Sequence, residues 1–96
     1  MRKGDKFTLR TTPVFPDPLT EENGFTASLA FDLHEAHTVT LYIFDALGNQ
    51  VNAAVEDGAK GVNTLRIDAS HLAAGMYSFI LTGGDESAQG RFVVTR

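Results

Sequence analysis

The sequence predicts an all-β fold, an immunoglobulin-like antiparallel β-sandwich of about seven short strands. Three observations predict it. Apolar residues alternate with period two along most of the chain. The alternating runs are separated by turn signals at intervals of about 8–12 residues. No helical period lasts beyond a turn or two.

The clearest run is residues 38–45. Val39, Leu41 and Ile43 point one way, and Thr40, Tyr42 and Phe44 the other. Both faces carry apolar groups, so this strand is expected at the centre of a sheet. Residues 25–33 turn Phe25, Ala27, Leu29, Phe31 and Leu33 inward. Residues 50–55 form a weaker strand. Residues 62–68 bury Leu65 and Ile67, residues 76–82 bury Tyr77, Phe79 and Leu81, and residues 90–95 bury Phe92 and Val94. Residues 7–11 read as a first strand.

The punctuation agrees with these spans. Asp45-Ala-Leu-Gly48-Asn49 reads as a hairpin built on a type I turn and closed by Gly48 in the left-handed region. Glu56-Asp57-Gly58 and Gly83-Gly84-Asp85 read as the next turns. Pro13, Pro16 and Pro18 cannot donate to a ladder, so residues 12–24 are expected to be an irregular connector. Residues 68–75 read as a loop with a helical turn near His71, and Leu72 plugs the end of the core.

The chain has 96 residues, enough for one domain and one modest core. Residues 1–13 are read as a linker that includes the first strand, and residues 14–96 as the sandwich. No cysteine is present, which excludes disulfides and thiolate chemistry. The net charge of −4 is unevenly spread. Residues 1–10 carry Arg2, Lys3, Lys6 and Arg10 against Asp5. Residues 11–90 carry eleven acids against Lys60 and Arg66, and Arg91 and Arg96 follow. An acidic body argues against nucleic acid, whose phosphates need a basic face. No run approaches the length of a membrane span. Met1-Arg2-Lys3 resembles the start of a signal peptide, but Gly4-Asp5-Lys6 follows where an apolar stretch is needed. The chain is therefore expected either to stay inside the cell or to be part of a longer exported protein.

No cluster of residues reads as a catalytic, cofactor or metal site. His34-Glu35-Ala36-His37 has its histidines at i and i+3 between two strands, and a third ligand would have to come from elsewhere. Asp68-Ala-Ser70-His71 holds three catalytic residue types, but triads are assembled from separate elements; Asp68 or Ser70 bonding loop amides is the better reading. Glu21-Glu22-Asn23 lacks the pattern of a calcium loop. Gly83-Gly84 lacks the Lys-Ser/Thr of a phosphate cradle. Tyr42 and Phe44 make an aromatic stripe that an exposed sheet could offer to a glycan; burial under the second sheet or the connector is the expectation.

Several segments taken in order resemble one family. They are Phe15-Pro16-Asp17-Pro18, Leu29-Ala-Phe31-Asp-Leu33-His-Glu-Ala36, Val39-Thr-Leu41-Tyr-Ile43-Phe-Asp45-Ala-Leu-Gly48, Leu72-Ala-Ala-Gly75-Met-Tyr77, and Arg91-Phe92-Val93-Val94-Thr-Arg96. The chain resembles the C-terminal sorting domain of type IX secretion cargo, which is also similar in pattern to the immunoglobulin-like domain of flagellar hook-capping proteins. Asp17 stands where the family usually has Asn, and Arg91 where it usually has Lys.

The resemblance implies a non-enzymatic domain that needs no cofactor. Its partners would be an outer-membrane translocon, in some cases a surface sortase, and a cargo domain on the N-terminal side. It implies passage through the periplasm to the cell surface or medium. The residues it marks are Pro16, Asp17, Pro18, Asp45, Gly48, Gly75, Tyr77, Arg91, Phe92, Val93, Val94 and Arg96. If residues 91–96 form a free edge, they are expected to pair with a translocon strand, with the basic end adding charge steering. Two other readings compete: an accessory spacer of a secreted or hook-capping-type protein, and a glycan-binding module using Tyr42 or Phe44.

Overall fold

The computed structural model describes residues 9–96. Seven strands form two antiparallel sheets, giving an immunoglobulin-like β-sandwich. The strands are β1 (Leu9–Thr11), β2 (Thr26–Leu33), β3 (His37–Phe44), β4 (Gln50–Gly58), β5 (Gly61–Asp68), β6 (Gly75–Gly83) and β7 (Glu86–Val94). Sheet A has the order β1-β2-β5, and sheet B the order β4-β3-β6-β7. As expected from its two apolar faces, β3 is an interior strand.

Period-two alternation places the core between the sheets. Leu29, Phe31 and Leu33 of sheet A meet Val39, Leu41, Ile43, Phe79, Leu81 and Phe92 of sheet B, all buried. Full burial of side chains of this size contributes about 1.5–3 kcal/mol each, before the entropy of ordering the chain is counted. Leu72, from the β5–β6 loop, joins the same cluster, as its spacing predicts.

The antiparallel order gives the sandwich two distinct ends. At the proximal end β1 begins at Leu9, and the β2–β3, β4–β5 and β6–β7 turns gather. At the distal end lie the β3–β4 turn, the β5–β6 loop, the close of β7 and the connector that precedes β2.

Several expectations change. Glu56, Asp57 and Gly58 are not a turn; they continue β4 opposite Val39, Thr38 and His37. Gly58 is bare because the Leu33 side chain and the His37 carbonyl occupy the space a Cβ would need. The turn lies two residues later, where Gly61 takes φ 100°. Asn63 closes this turn by accepting from the Ala59 amide at 3.0 Å and donating to the Ala59 carbonyl at 2.8 Å. Phe25 sits just outside β2 at φ 58°, only half-buried. β7 starts at Glu86, earlier than the alternation suggests, because small and polar side chains occupy its first half. The connector is not wholly irregular: residues Glu21–Asn23 make one 3-10 turn. Of the expected first strand, Leu9–Thr11 is β1, and Phe7 and Thr8 fall outside the described residues.

The outer faces of the two sheets differ. Sheet A presents Ser28, Asp32, Thr64, Arg66 and Asp68, a mostly polar face usual for a half-solvated antiparallel sheet, with Val62 exposed among them and the exposed Phe15 of the connector beside Ser28. Sheet B presents Tyr42, Phe44, Ile80 and Val93, half-buried, with Val55 and Met76 exposed. Tyr42 and Phe44 are therefore covered by neither the second sheet nor the connector. Their parity in β3, opposite to that of Leu41 and Ile43, puts them on the outside.

Candidate functional site

The distal end is where the sequence-predicted residues converge. Its first component is the strap formed by residues 15–19. Phe15 bridges Ser28 of β2, and Leu19 bridges Val94 of β7 in parallel. The Leu19 amide donates to the Val93 carbonyl at 2.8 Å, and the Leu19 carbonyl accepts from the Thr95 amide at 2.9 Å. Between them, the Val93 amide donates to Asp17 Oδ1 at 3.0 Å. Pro16 and Pro18 lack an N–H and cannot take part as donors. The strap thus crosses from one sheet to the other and satisfies the outer edge of β7 where the strand ends. Leu19, with no exposed surface, anchors it in the core.

The β3–β4 turn is built by Asp45. Its Oδ1 accepts from the Leu47 and Asn49 amides, each at 2.9 Å, and its Oδ2 from Asn49 Nδ2 at 3.3 Å. The Gly48 amide donates to the Asp45 carbonyl at 3.0 Å, closing the turn. Gly48 has φ 89°, a conformation costly for any residue with a Cβ. The Asn49 amide above all, with the other donors, holds the Asp45 carboxyl below its ordinary value against a smaller opposing effect of burial.

The β5–β6 loop carries the Leu72-Ala-Ala-Gly75-Met-Tyr77 motif. Asp68 Oδ1 accepts from the Ser70 amide at 3.0 Å, the Asx-turn expected from sequence. That bond is the main reason its carboxyl lies below the ordinary value, with His71 and Arg66 adding attraction. Tyr77 stacks on Phe92, ring centroids 5.7 Å apart, and its hydroxyl donates to the Ala73 carbonyl at 2.6 Å. Gly75 opens β6 opposite Val94.

Arg96 joins these components. Its Nε donates to the Leu72 carbonyl at 2.9 Å, and its Nη2 to the Ser70 carbonyl at 2.6 Å. The guanidinium carbon lies 4.2 Å from the centre of the Phe25 ring. Phe25 is held in turn by Asn23, whose Oδ1 accepts from the Phe25 amide at 3.2 Å and the Thr20 amide at 2.9 Å. The Arg96 guanidinium is therefore bonded within the domain, and the edge of β7 at Val93 and Thr95 is occupied by the strap. That edge is not free for pairing in the folded domain, whereas Arg96, bonded only to neutral carbonyls and exposed, keeps its charge.

The marked residues thus fall into two groups. Asp17, Asp45, Gly48, Gly75, Tyr77, Phe92, Val94 and Arg96 hold the distal end together. Arg91 and Val93 face outward on sheet B, Pro16 is half-buried in the strap, and Pro18 is exposed. Sequence reasoning missed Leu19, Asn23 and Phe25. Leu19 is a lone apolar residue after Pro18, and only its seat beside Val93 and Thr95 shows its role.

No catalytic or metal arrangement emerges here. His34 and His37 stand at the proximal end and His71 at the distal end. No three His, Cys, Asp or Glu residues come together as metal ligands among the described residues.

Comparison with known proteins supports the sequence resemblance. The model of the secretion system C-terminal sorting domain family matches residues 13–95. The fold is similar to part of dimeric latent PorU from Porphyromonas gingivalis, with a TM-score of 0.68 and 14% identity over 94% of this chain and 9% of that one. It is also similar to part of the β-glucosidase EmGH1 from Erythrobacter marinus, with a TM-score of 0.57 and 8% identity over 93% of this chain and 16% of that one. A β-glucosidase from Listeria innocua, solved with glucose, gives a TM-score of 0.57 and 13% identity over 95% of this chain and 16% of that one. At such identities these likenesses concern the fold alone. No curated protein sequence matches the chain. The family model spans both the strap and the close of β7, the two segments that meet at the distal end, and the chain belongs to the secretion system C-terminal sorting domain family.

Proposed function

We propose that the folded domain is recognised by the type IX outer-membrane translocon and carries an attached cargo from the periplasm to the cell surface or medium. The observation that carries this reading is the gathering of the family's marked residues at one end of the sandwich, opposite the end where the chain enters at Leu9. A cargo joined through residues 1–13 would then extend away from the distal end. The side chains of Asp17, Asp45, Tyr77 and Arg96 make internal hydrogen bonds, and Phe92 and Val94 are buried, which supports recognition of a folded shape rather than of an unfolded tail.

The domain performs no chemistry in this reading. It is the substrate of export and, where a sortase acts, of cleavage on the side of residues 1–13. A second reading is an accessory spacer, which needs no more than this fold, and segments of two β-glucosidases share the fold.

A secretion assay separates the two. A periplasmic signal peptide and a fluorescent reporter are placed ahead of residues 1–96, and cells with and without a working translocon are compared. The sorting reading expects reporter at the surface or in the medium only when the translocon works. Reporter held in the periplasm of both strains, with the domain folded, leaves the spacer.

A further inference from the structure

The outer face of sheet B is apolar at its centre and nearly uncharged. Tyr42 pairs across the sheet with Ile80 and with Ala53, Phe44 with Ser78, Met76 with Val93, and Thr40 with Val55. No element covers this face among the described residues. The outer face of sheet A is more polar and carries charges of both signs, Asp32, Arg66 and Asp68, around an isolated exposed Val62. A contiguous apolar patch on a sheet that has no second layer marks an interaction surface.

The charges on the face identify its partner. Among the described residues, two ionic groups lie on it. Asp57, at one corner, accepts a hydrogen bond from the Thr38 hydroxyl at 3.0 Å. Arg91, toward the distal end, is exposed and has no ion-pair partner among the described residues. Beside Arg91, the face dips into a depression of about 440 Å³ lined by Ser78, Phe79, Ile80, Gln89, Gly90 and Arg91. Arginine and tyrosine beside apolar groups and a recess make the composition typical of binding hot spots. A single cation at the rim of an uncharged face selects a surface with an apolar body and one complementary carboxylate.

We propose that the outer face of sheet B, centred on Tyr42, Ile80 and Arg91, docks on an apolar, carboxylate-bearing surface of the export machinery. This rests on the sorting reading above and names the surface through which it works. The distal bonds of Asp17, Tyr77 and Arg96 hold β6 and β7 in register beneath that surface.

The test uses the reporter fusion with four variants: Arg91→Glu, Arg91→Lys, Tyr42→Thr with Ile80→Thr, and Arg66→Glu on sheet A as a control. Thermal unfolding of each purified 96-residue chain checks its fold. Export is expected to fall about tenfold or more for Arg91→Glu and for the double variant, and to change less than about twofold for Arg66→Glu. Arg91→Lys retains a large part of export because the charge survives while the bidentate geometry is lost. Purified translocon in detergent should retain the wild-type chain and release it on Arg91→Glu.

Failure of the wild-type fusion to be exported removes the sorting reading itself. Export of the wild type together with undiminished export of Arg91→Glu overturns only the docking face, and this exposed position decides the matter if the double variant fails to fold. A dimer in sedimentation that Arg91→Glu dissociates, or retention on a polysaccharide that the double variant loses, assigns the face to another occupant and also overturns the proposal.

Discussion

At the distal end of the sandwich some side chains tie together segments up to 76 positions apart, beside the local bonds of Asp45 and Asp68. At the proximal end the longest such bond, from Thr38 to Asp57, joins two neighbouring strands 19 positions apart. Asp17 bonds the Val93 amide, 76 positions away, and Arg96 reaches back 24 positions to Leu72 and 26 to Ser70. The proximal counterpart, Asn63, bonds Ala59 and Gly61 within its own turn. Local closure sets the shape of one hairpin. Long-range closure joins both sheets, the connector and the last strand into one rigid body. The family's marked residues lie at the end of the second kind, so they mark the place where the fold is completed.

The comparison breaks most directly at Leu19. Replacing this fully buried anchor by Ala should lower stability by about 2–5 kcal/mol, measured by denaturant unfolding. It should also raise amide exchange at Val93 and Thr95, which the strap now covers, before exchange rises in β2 or β5. A loss under about 1 kcal/mol would show that the strap is not part of the cooperative unit.

Arg96→Ala comes next. It removes a charged donor from two close carbonyls and a cation from the face of Phe25, with an expected loss of about 1–2 kcal/mol in the same assay. Arg96→Lys should recover less than half of it, since a lysine cannot span the Leu72 and Ser70 carbonyls with a planar fork.

Acid sharpens the comparison without mutation. Asp45 and Asp68, both distal, have carboxyls held below their ordinary value, so the native state binds fewer protons there than the unfolded chain. Their contribution is fully present above the unfolded value of about 3.9 and is lost as pH falls through the lower native value. Stability should therefore drop below about pH 4, and Asp45→Asn should flatten that drop. Melting curves from pH 2 to 6 check it; both groups are exposed, so the effect is modest.

The smallest effect is expected at the proximal turn. His34→Ala with Glu35→Ala, both exposed between β2 and β3, should change stability by less than about 0.5 kcal/mol and leave export unchanged. A larger loss in either would mean that the proximal end carries more than local closure.

Much of this was legible in the residues. Alternation at 29–33, 39–43, 77–81 and 92–94 gave strands and inward faces because a pleated strand exposes one parity to the core wherever it lies. Asp45 and Gly48 announced their turn because the bonds that build it are local. Glu56-Asp57-Gly58 misled for the opposite reason. The glycine serves a close approach by Leu33, which is distant in sequence, and composition cannot distinguish that use from a turn. Tyr42 and Phe44 were assigned the right parity, but whether anything covers an outer face depends on the layers packed around it.

The sequence by itself determined the class of fold, most strand spans and the absence of thiol chemistry, since these follow from period, turn residues and composition acting over a few neighbours. Its ordered motifs also carried the family resemblance. The tertiary structure decided what those motifs do. Asp17 became a cap on β7, Arg96 a clamp over Phe25, Leu19 a buried anchor, and the outer face of sheet B an open apolar surface. Each depends on segments brought together by folding across tens of residues, where pairing geometry rather than local preference selects the contact.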